Sequence, residues 1–221
     1  LLPDAPNWKR KFFQQNRVDV LSALLHPAIL VPEGRADFQL LKSILRPLML
    51  TEGWISSLPR AFGLEVGVVP TDDAKVVETH ALLAGVHQCV CCLVDGDAAG
   101  QGYVEQLKAT QPPPAAIVRW QDGAMMEDTI GWILMADEPA VIPVLDQLTQ
   151  PPPQTAADVV TWLKAHKMDI ISYETVADAI ANNVACRARA AELFSGLASA
   201  CAGIVTARFH LDDAGVWVFQ P

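Results

Sequence analysis

No long hydrophobic run is present. The longest apolar stretches, such as Cys89–Val94, fall far short of the roughly 20 residues a bilayer span requires, so no segment reads as a membrane anchor. A basic-apolar-small leader is also missing, and nothing points to export. The five cysteines (Cys89, Cys91, Cys92, Cys186, Cys201) lack the paired C-x-x-C spacing of a zinc site, and with no disulfide framework the chain reads as cytoplasmic. The five histidines form no HExxH or HNH-like group. There is no G-x-x-x-x-G-K-[ST] loop, which excludes a P-loop ATPase, and no G-x-S-x-G elbow of a serine hydrolase. Basic residues are few: 16 Lys and Arg stand against 25 Asp and Glu, a net charge of −9, so a broad basic footprint for duplex binding is absent.

What is present is an apolar half (51%), enough for a substantial core, and a regular alternation of strand-like and helix-like segments. A helix is expected over 8–26, ended by Pro27, then a strand at 28–32. A helix from about Ala36 to Leu50 follows, kinked or shortened by Pro47. A second strand fits Glu65–Pro70, with Thr71-Asp72-Asp73 as the cap of a helix over 74–87. The third strand, 89–95, is almost continuously apolar, as buried parallel strands are. Cys89 and Cys91 are expected on one face of it and Cys92 on the other, as small core residues. A helix over 98–110, a strand over 115–120 and a helix over 127–135 complete the unit. This order predicts an α/β fold, a parallel sheet flanked by helices. Beyond Pro151-Pro152-Pro153, helices over 156–167 and 173–202 and a hairpin (204–211 with 216–219) predict a helical subdomain ending in a β-hairpin. The chain starts Leu-Leu-Pro-Asp-Ala-Pro rather than with Met, and is read as part of a longer protein. The expected units are 1–27 (linker and leading helix), 28–135 (the domain of alternating strands and helices) and 136–221 (helical subdomain with terminal hairpin).

Two acidic motifs carry the chemistry. Ala28–Pro32 runs into Glu33-Gly34-Arg35-Ala36-Asp37, and Cys91–Val94 runs into Asp95-Gly96-Asp97-Ala98-Ala99-Gly100. Ligands of open parallel sheets bind outside the carboxyl ends of the strands. Carboxylates gathered there repel one another unless a cation neutralises them, and oxygen donors suit Mg²⁺ or Mn²⁺. Gly34 is expected to make the tight turn after Glu33, and Gly96 and Gly100 to let the backbone approach a metal or phosphate. The blander alternatives are that Asp37 only serves the helix dipole and that Asp-Gly-Asp is a turn.

A strand-borne Glu-Gly followed by an acid, then Asp-x-Asp-x-x-Gly on a later strand, resembles the Toprim domain. Glu33-Gly34-x-x-Asp37-x-x-x-Leu41, entered from the run 16–25, and Met126-Glu127-Asp128-Thr129-Ile130 are similar to the OLD (overcoming lysogenization defect) branch, over roughly residues 12–135. The resemblance implies a metal-dependent DNA endonuclease with two Mg²⁺ or Mn²⁺ ions held by Glu33, Asp37, Asp95, Asp97 and an acid from Glu127 or Asp128. Glu33 would also assist proton transfer. It further implies an ATPase domain upstream in the same polypeptide, which would supply any role for ATP, and a homodimer of the full-length protein. Its lysine of the late helical region is matched here by Arg187 or Arg189, with Lys164 and Lys167 as the other candidates. A topoisomerase-type Toprim needs a tyrosine nucleophile, and only Tyr103 and Tyr173 exist. The alternative from another class is a non-catalytic Toprim-like module that binds metal or DNA in recombination or repair. Weak DNA affinity of this segment alone is expected.

Overall fold

Apolar strands alternate with helices along the chain and assemble into one six-stranded sheet in the computed structural model, which describes residues 7–72 and 74–221 apart from the side chains of residues 56 and 57. The Pro-rich start (residues 1–6) and Asp73 lie outside the described residues. The elements run α1 (Asn7–Gln15), α2 (Arg17–Ala23), β1 (Ala28–Pro32), α3 (Arg35–Leu50), α4 (Trp54–Ser57), α5 (Phe62–Glu65), β2 (Val66–Val68), α6 (Val76–Leu83), β3 (Val90–Val94), α7 (Ala98–Lys108), β4 (Ala116–Trp120) and α8 (Met126–Leu134). Then come α9 (Glu138–Val141), a 3-10 turn at Ile142–Leu145, α10 (Ala156–Ala165), α11 (Ile170–Asn182), α12 (Val184–Cys201), β5 (Phe209–Leu211) and β6 (Trp217–Phe219).

The strand order is β2-β1-β3-β4-β6-β5, parallel throughout except for β5, which pairs antiparallel with β6. From β1 the chain goes to one side to form β2, then crosses back to lay β3 on the other side. The junction between β1 and β3 is therefore a topological switch point, where the chain segments leaving the two strand ends part and open a crevice. Every residue of β1 and β3 is buried, because both faces of these strands are covered. Leu30, Cys91, Leu93, Val118 and Trp120 pack with α3, α8, α11 and α12. Ile29, Val31, Cys92, Val94 and Ile117 pack with α2, α6 and α7. Each fully buried Leu or Ile here contributes about 1.5–3 kcal/mol relative to its exposed state.

Several expected boundaries shift for physical reasons. The leading helix is two helices, broken at Asn16, whose side chain turns back to donate to Phe12 O at 3.1 Å. The helix α3 runs through Pro47 to Leu50. The Glu65–Pro70 strand is shorter, since Glu65 ends α5, its carboxylate accepting from Ala61 N at 3.0 Å and pairing with Arg60. The helix expected from residue 74 starts at Val76 with Lys75 at its N-cap, so Thr71 and Asp72 do not cap it. The expected helix over 173–202 is two: Asn183 is extended, and its Oδ1 accepts from Ala185 N and Cys186 N to start α12 afresh. The terminal hairpin is present, and β6 joins the main sheet beside β4. Among the described residues no helix is long and apolar enough to cross a membrane.

Candidate metal centre

The carboxyl ends of β1 and β3 place the two acidic motifs side by side. Pro32 of β1 is in register with Leu93 of β3, so Glu33 and Asp95 emerge at neighbouring points of the sheet edge. The Asp95 N–H donates to Glu33 Oε2 at 2.9 Å. Three helices begin here: α3 with Asp37 in its first turn, α7 with Asp97 as N-cap, and α8 with Glu127 and Asp128 in its first turn. Their N-terminal dipoles favour negative charge at this edge, which explains why an acidic cluster can be held at all.

Burial is deep for an acidic set. Glu127 is 1% exposed, Asp95 5% and Asp37 9%. Burial pushes the Asp95 carboxyl up to about 8, reinforced by the charges of Asp37, Glu33 and Glu127 and opposed by Lys167. Asp37 is pushed up to about 7, again by burial first, then by Glu127, with Lys167 opposing and Glu33 adding to the rise. Glu33 is raised by burial, lowered in part by the Asp95 N–H, raised by Asp97 and lowered by Lys167. Glu33, Asp37, Asp95 and Glu127 therefore act on one another as a group, with Asp97 at its margin.

Two buried oxygens in this group, Asp95 Oδ1 and Glu127 Oε2, have no hydrogen-bond partner among the described residues. Unpaired buried carboxylate oxygens are costly and rare, and each calls for a reason. The other members are partly committed to the backbone: Asp37 Oδ2 accepts from Gly34 N at 3.1 Å and Asp97 Oδ1 from Gly100 N at 2.8 Å. The donor chemistry fits a hard divalent cation, since it is all oxygen, rich in negative charge and has unsatisfied atoms in its interior. The fit is one of chemistry rather than of a finished shell: among the described residues no three Asp, Glu, His or Cys side chains converge as a ligand set for one ion.

Other expected members fall elsewhere. Asp128 is turned away to local work, its Oδ2 accepting from Met125 N at 2.8 Å and its Oδ1 from Lys164 Nζ at 2.7 Å. Of the two acids at the start of α8, Glu127 is the one in the cluster. Arg187 donates to Ala181 O at 2.7 Å, and Arg189 donates to Trp132 O at 2.7 Å with its guanidinium over the Trp132 ring. Neither is among the charges that act on Glu33, Asp37 or Asp95; the cation that does is Lys167, 3.9 Å from Glu127 Oε1.

The glycines also serve differently from what the motif suggested. A Cβ on Gly96 would strike the Gln121 carbonyl, and one on Gly100 would strike the Asp95 carbonyl. These residues are small so that the β4–α8 loop and the first turn of α7 can close on the Asp95 backbone, an approach of protein to protein. Gly96 N donates to Ala124 O at 2.8 Å and Gly96 O accepts from Gly123 N at 2.9 Å. Gly34 is extended (φ −139°), a conformation other residues adopt.

Tyr173 escaped the sequence reading as a neighbour of this site. It is buried, and burial and the charges of Glu127 and Asp37 raise its phenol above the usual range. Nothing local marks it, since only the packing of α11 along α3 brings it there. No protein-family model, no curated protein and no solved structure matches this chain.

Proposed function

We propose that this chain is the catalytic segment of a divalent-metal-dependent DNA endonuclease of Toprim type, in the OLD branch. The observation that carries the reading is the pair of buried, unpartnered carboxylate oxygens, Asp95 Oδ1 and Glu127 Oε2, inside an acidic cluster at the switch point of a parallel sheet. Glu33, Asp37, Asp95 and Glu127, with Asp97 at the edge, would hold one or two Mg²⁺ or Mn²⁺ ions. Such ions, when bound, lower the pKa of water and neutralise charge on a phosphodiester.

The chain's own residues supply the rest. Lys167 offers a positive charge beside the cluster, suited to the negative charge that builds on phosphate as the P–O bond breaks. Glu33, held by the Asp95 N–H, has a raised proton affinity that suits it to take a proton from the attacking water. Asp95 and Glu127 lie out of bulk water, where a bound cation would attract their carboxylates more strongly than at the surface. An ATPase domain in the same polypeptide, a homodimer and a cytoplasmic location belong to the same proposal.

A non-catalytic metal- or DNA-binding module is the second reading. It is favoured by the lack, among the described residues, of three donors already converged. Supercoiled plasmid incubated with the protein and EDTA, Mg²⁺, Mn²⁺ or Ca²⁺ separates the two. Nicked or linear product with Mg²⁺ or Mn²⁺, lost in Asp95→Ala, supports the nuclease. Ion binding with no product from the folded protein supports the module.

A further inference from the structure

Lys167 lies in the short link between α10 and α11, a place where a long flexible side chain would ordinarily wander. The Lys167 side chain is 43% exposed, with its Nζ 3.9 Å from Glu127 Oε1, but the backbone of the link that carries it is held at several points. Trp162 of α10 donates from Nε1 to Ser172 Oγ of α11 at 3.0 Å, and its ring stacks on His166 with centroids 3.5 Å apart. Asp169 caps α11, accepting from Ile171 N at 3.2 Å and from Ser172 Oγ at 2.7 Å. Met168 sits between them in the left-handed region (φ +70°), which a side chain other than glycine adopts only when its surroundings hold it there.

The group that holds it is Tyr173. The Met168 N–H donates to the Tyr173 phenol oxygen at 2.9 Å. That N–H belongs to the peptide unit joining Lys167 to Met168, so the phenol fixes the plane from which the Lys167 side chain departs. Tyr173 is itself immobilised, fully buried in the core and close enough to the cluster for Glu127 and Asp37 to act on it. The same side chain thus lies within electrostatic reach of Glu127 and Asp37 and bonds the backbone that carries their counter-charge.

We propose that Tyr173 is a positioning residue: through its hydrogen bond to Met168 it holds the left-handed turn that presents the Lys167 ammonium to the acidic cluster. The role of Lys167 in cleavage rests on the nuclease reading; the positioning itself does not.

The test uses Tyr173→Phe, which keeps the ring and removes only the oxygen, and the double variant Tyr173→Phe/Met168→Gly. Glycine adopts the left-handed conformation without strain, so it should preserve the turn when the phenol oxygen is gone. The first readout is independent of activity. Lysines are converted to their ¹³C-dimethyl form, and the Lys167 resonance is identified by its loss in Lys167→Arg. It should stand apart from the exposed-lysine envelope in the wild type, collapse into it in Tyr173→Phe, and return in the double variant. Saturable binding of Mn²⁺ alone, followed by calorimetry, should persist in both variants, the carboxylates being untouched. Where cleavage is measurable, Tyr173→Phe should lower kcat by about tenfold or more with KM unchanged, and the double variant should recover most of it. An unmoved Lys167 resonance in Tyr173→Phe overturns the proposal. So does a loss that glycine at 168 fails to restore, which would make Tyr173 a packing residue only. A wild type with no cleavage under any metal defeats the nuclease reading and leaves the resonance test to decide the positioning.

Discussion

Glu33 and Asp95, 62 residues apart in sequence, are joined across the β1–β3 boundary by a hydrogen bond from the Asp95 N–H to Glu33 Oε2 of 2.9 Å. The bond ties one acidic motif to the backbone of the other, so the two carboxyl groups cannot drift apart without breaking it. Charge and hydrogen bonding can be separated at this position. Glu33→Gln keeps an acceptor for the Asp95 N–H and should alter stability by no more than about 0.5 kcal/mol, while divalent-ion binding weakens markedly. Glu33→Ala leaves that N–H bare and should cost about 1–2 kcal/mol more. Urea denaturation of both variants, beside Mn²⁺ titration, checks the difference.

Stability should depend on pH with an unusual sign. Asp95 and Asp37 hold their protons in the folded protein up to about 8 and about 7, against ordinary values of 3.8. Between those limits the folded chain binds more protons than the unfolded one, so the metal-free protein loses stability as pH rises from about 4 to about 8. Excess Mn²⁺ at pH 8 should reverse the loss by binding the ionised folded form. Thermal melts in EDTA across this range, repeated with Mn²⁺, report it. A metal-free stability that climbs over the same interval would contradict the assignment of these carboxyls.

Neutralising the most strained acid should stabilise the metal-free fold. Asp95→Asn is expected to raise stability at pH 8 by about 0.5–2 kcal/mol while removing ion binding, the trade between stability and function common at active sites. Chemical denaturation in EDTA measures the gain. A destabilised Asp95→Asn would mean that the carboxylate is satisfied by contacts other than a cation.

Lys167 and Arg187 should behave oppositely. On the proposed nuclease reading, Lys167→Met removes the cation acting on three of the carboxyls and should lower kcat by roughly 10²–10³-fold. Arg187→Ala, whose guanidinium is turned to the Ala181 carbonyl, should change kcat by no more than about threefold. Steady-state plasmid cleavage by the two variants decides between them.

Gly96 is constrained by the neighbouring loop rather than by its own dihedral angles. Gly96→Ala drives a methyl into the Gln121 carbonyl and should cost roughly 1–3 kcal/mol. Gly102→Ala, where a Cβ meets nothing within 4 Å, serves as the helical control and should be neutral or stabilising. Paired thermal melts give the comparison.

The alternation of apolar strands with helices was sufficient to foresee the parallel sheet, because buried strands such as Val90–Val94 declare themselves by continuous hydrophobicity. The acids at the strand ends were legible for the same reason: Glu33 and Asp95 follow the last apolar residue of β1 and β3 directly. Helix breaks at Asn16 and Asn183 were not, since each depends on one side chain capping the backbone within an otherwise helical pattern. Nor could spacing separate Glu127 from Asp128. Adjacent residues on a helix differ by about 100° in direction, and only the placement of α10, with Lys164 on Asp128, shows which of the two faces inward. Spacing could not rank Arg187 or Arg189 against Lys164 or Lys167 either. Sequence position suggested the late helices, whereas the fold delivers the nearby charge from the α10–α11 link.

Calorimetric titration of the folded protein with Mn²⁺ at pH 8, beside Asp95→Ala, tests most directly whether the acidic cluster at the β1–β3 switch point is a metal centre. Saturable binding by the wild type that is abolished in the variant is the expected result. No binding by the wild type, or equal binding by both, would contradict it.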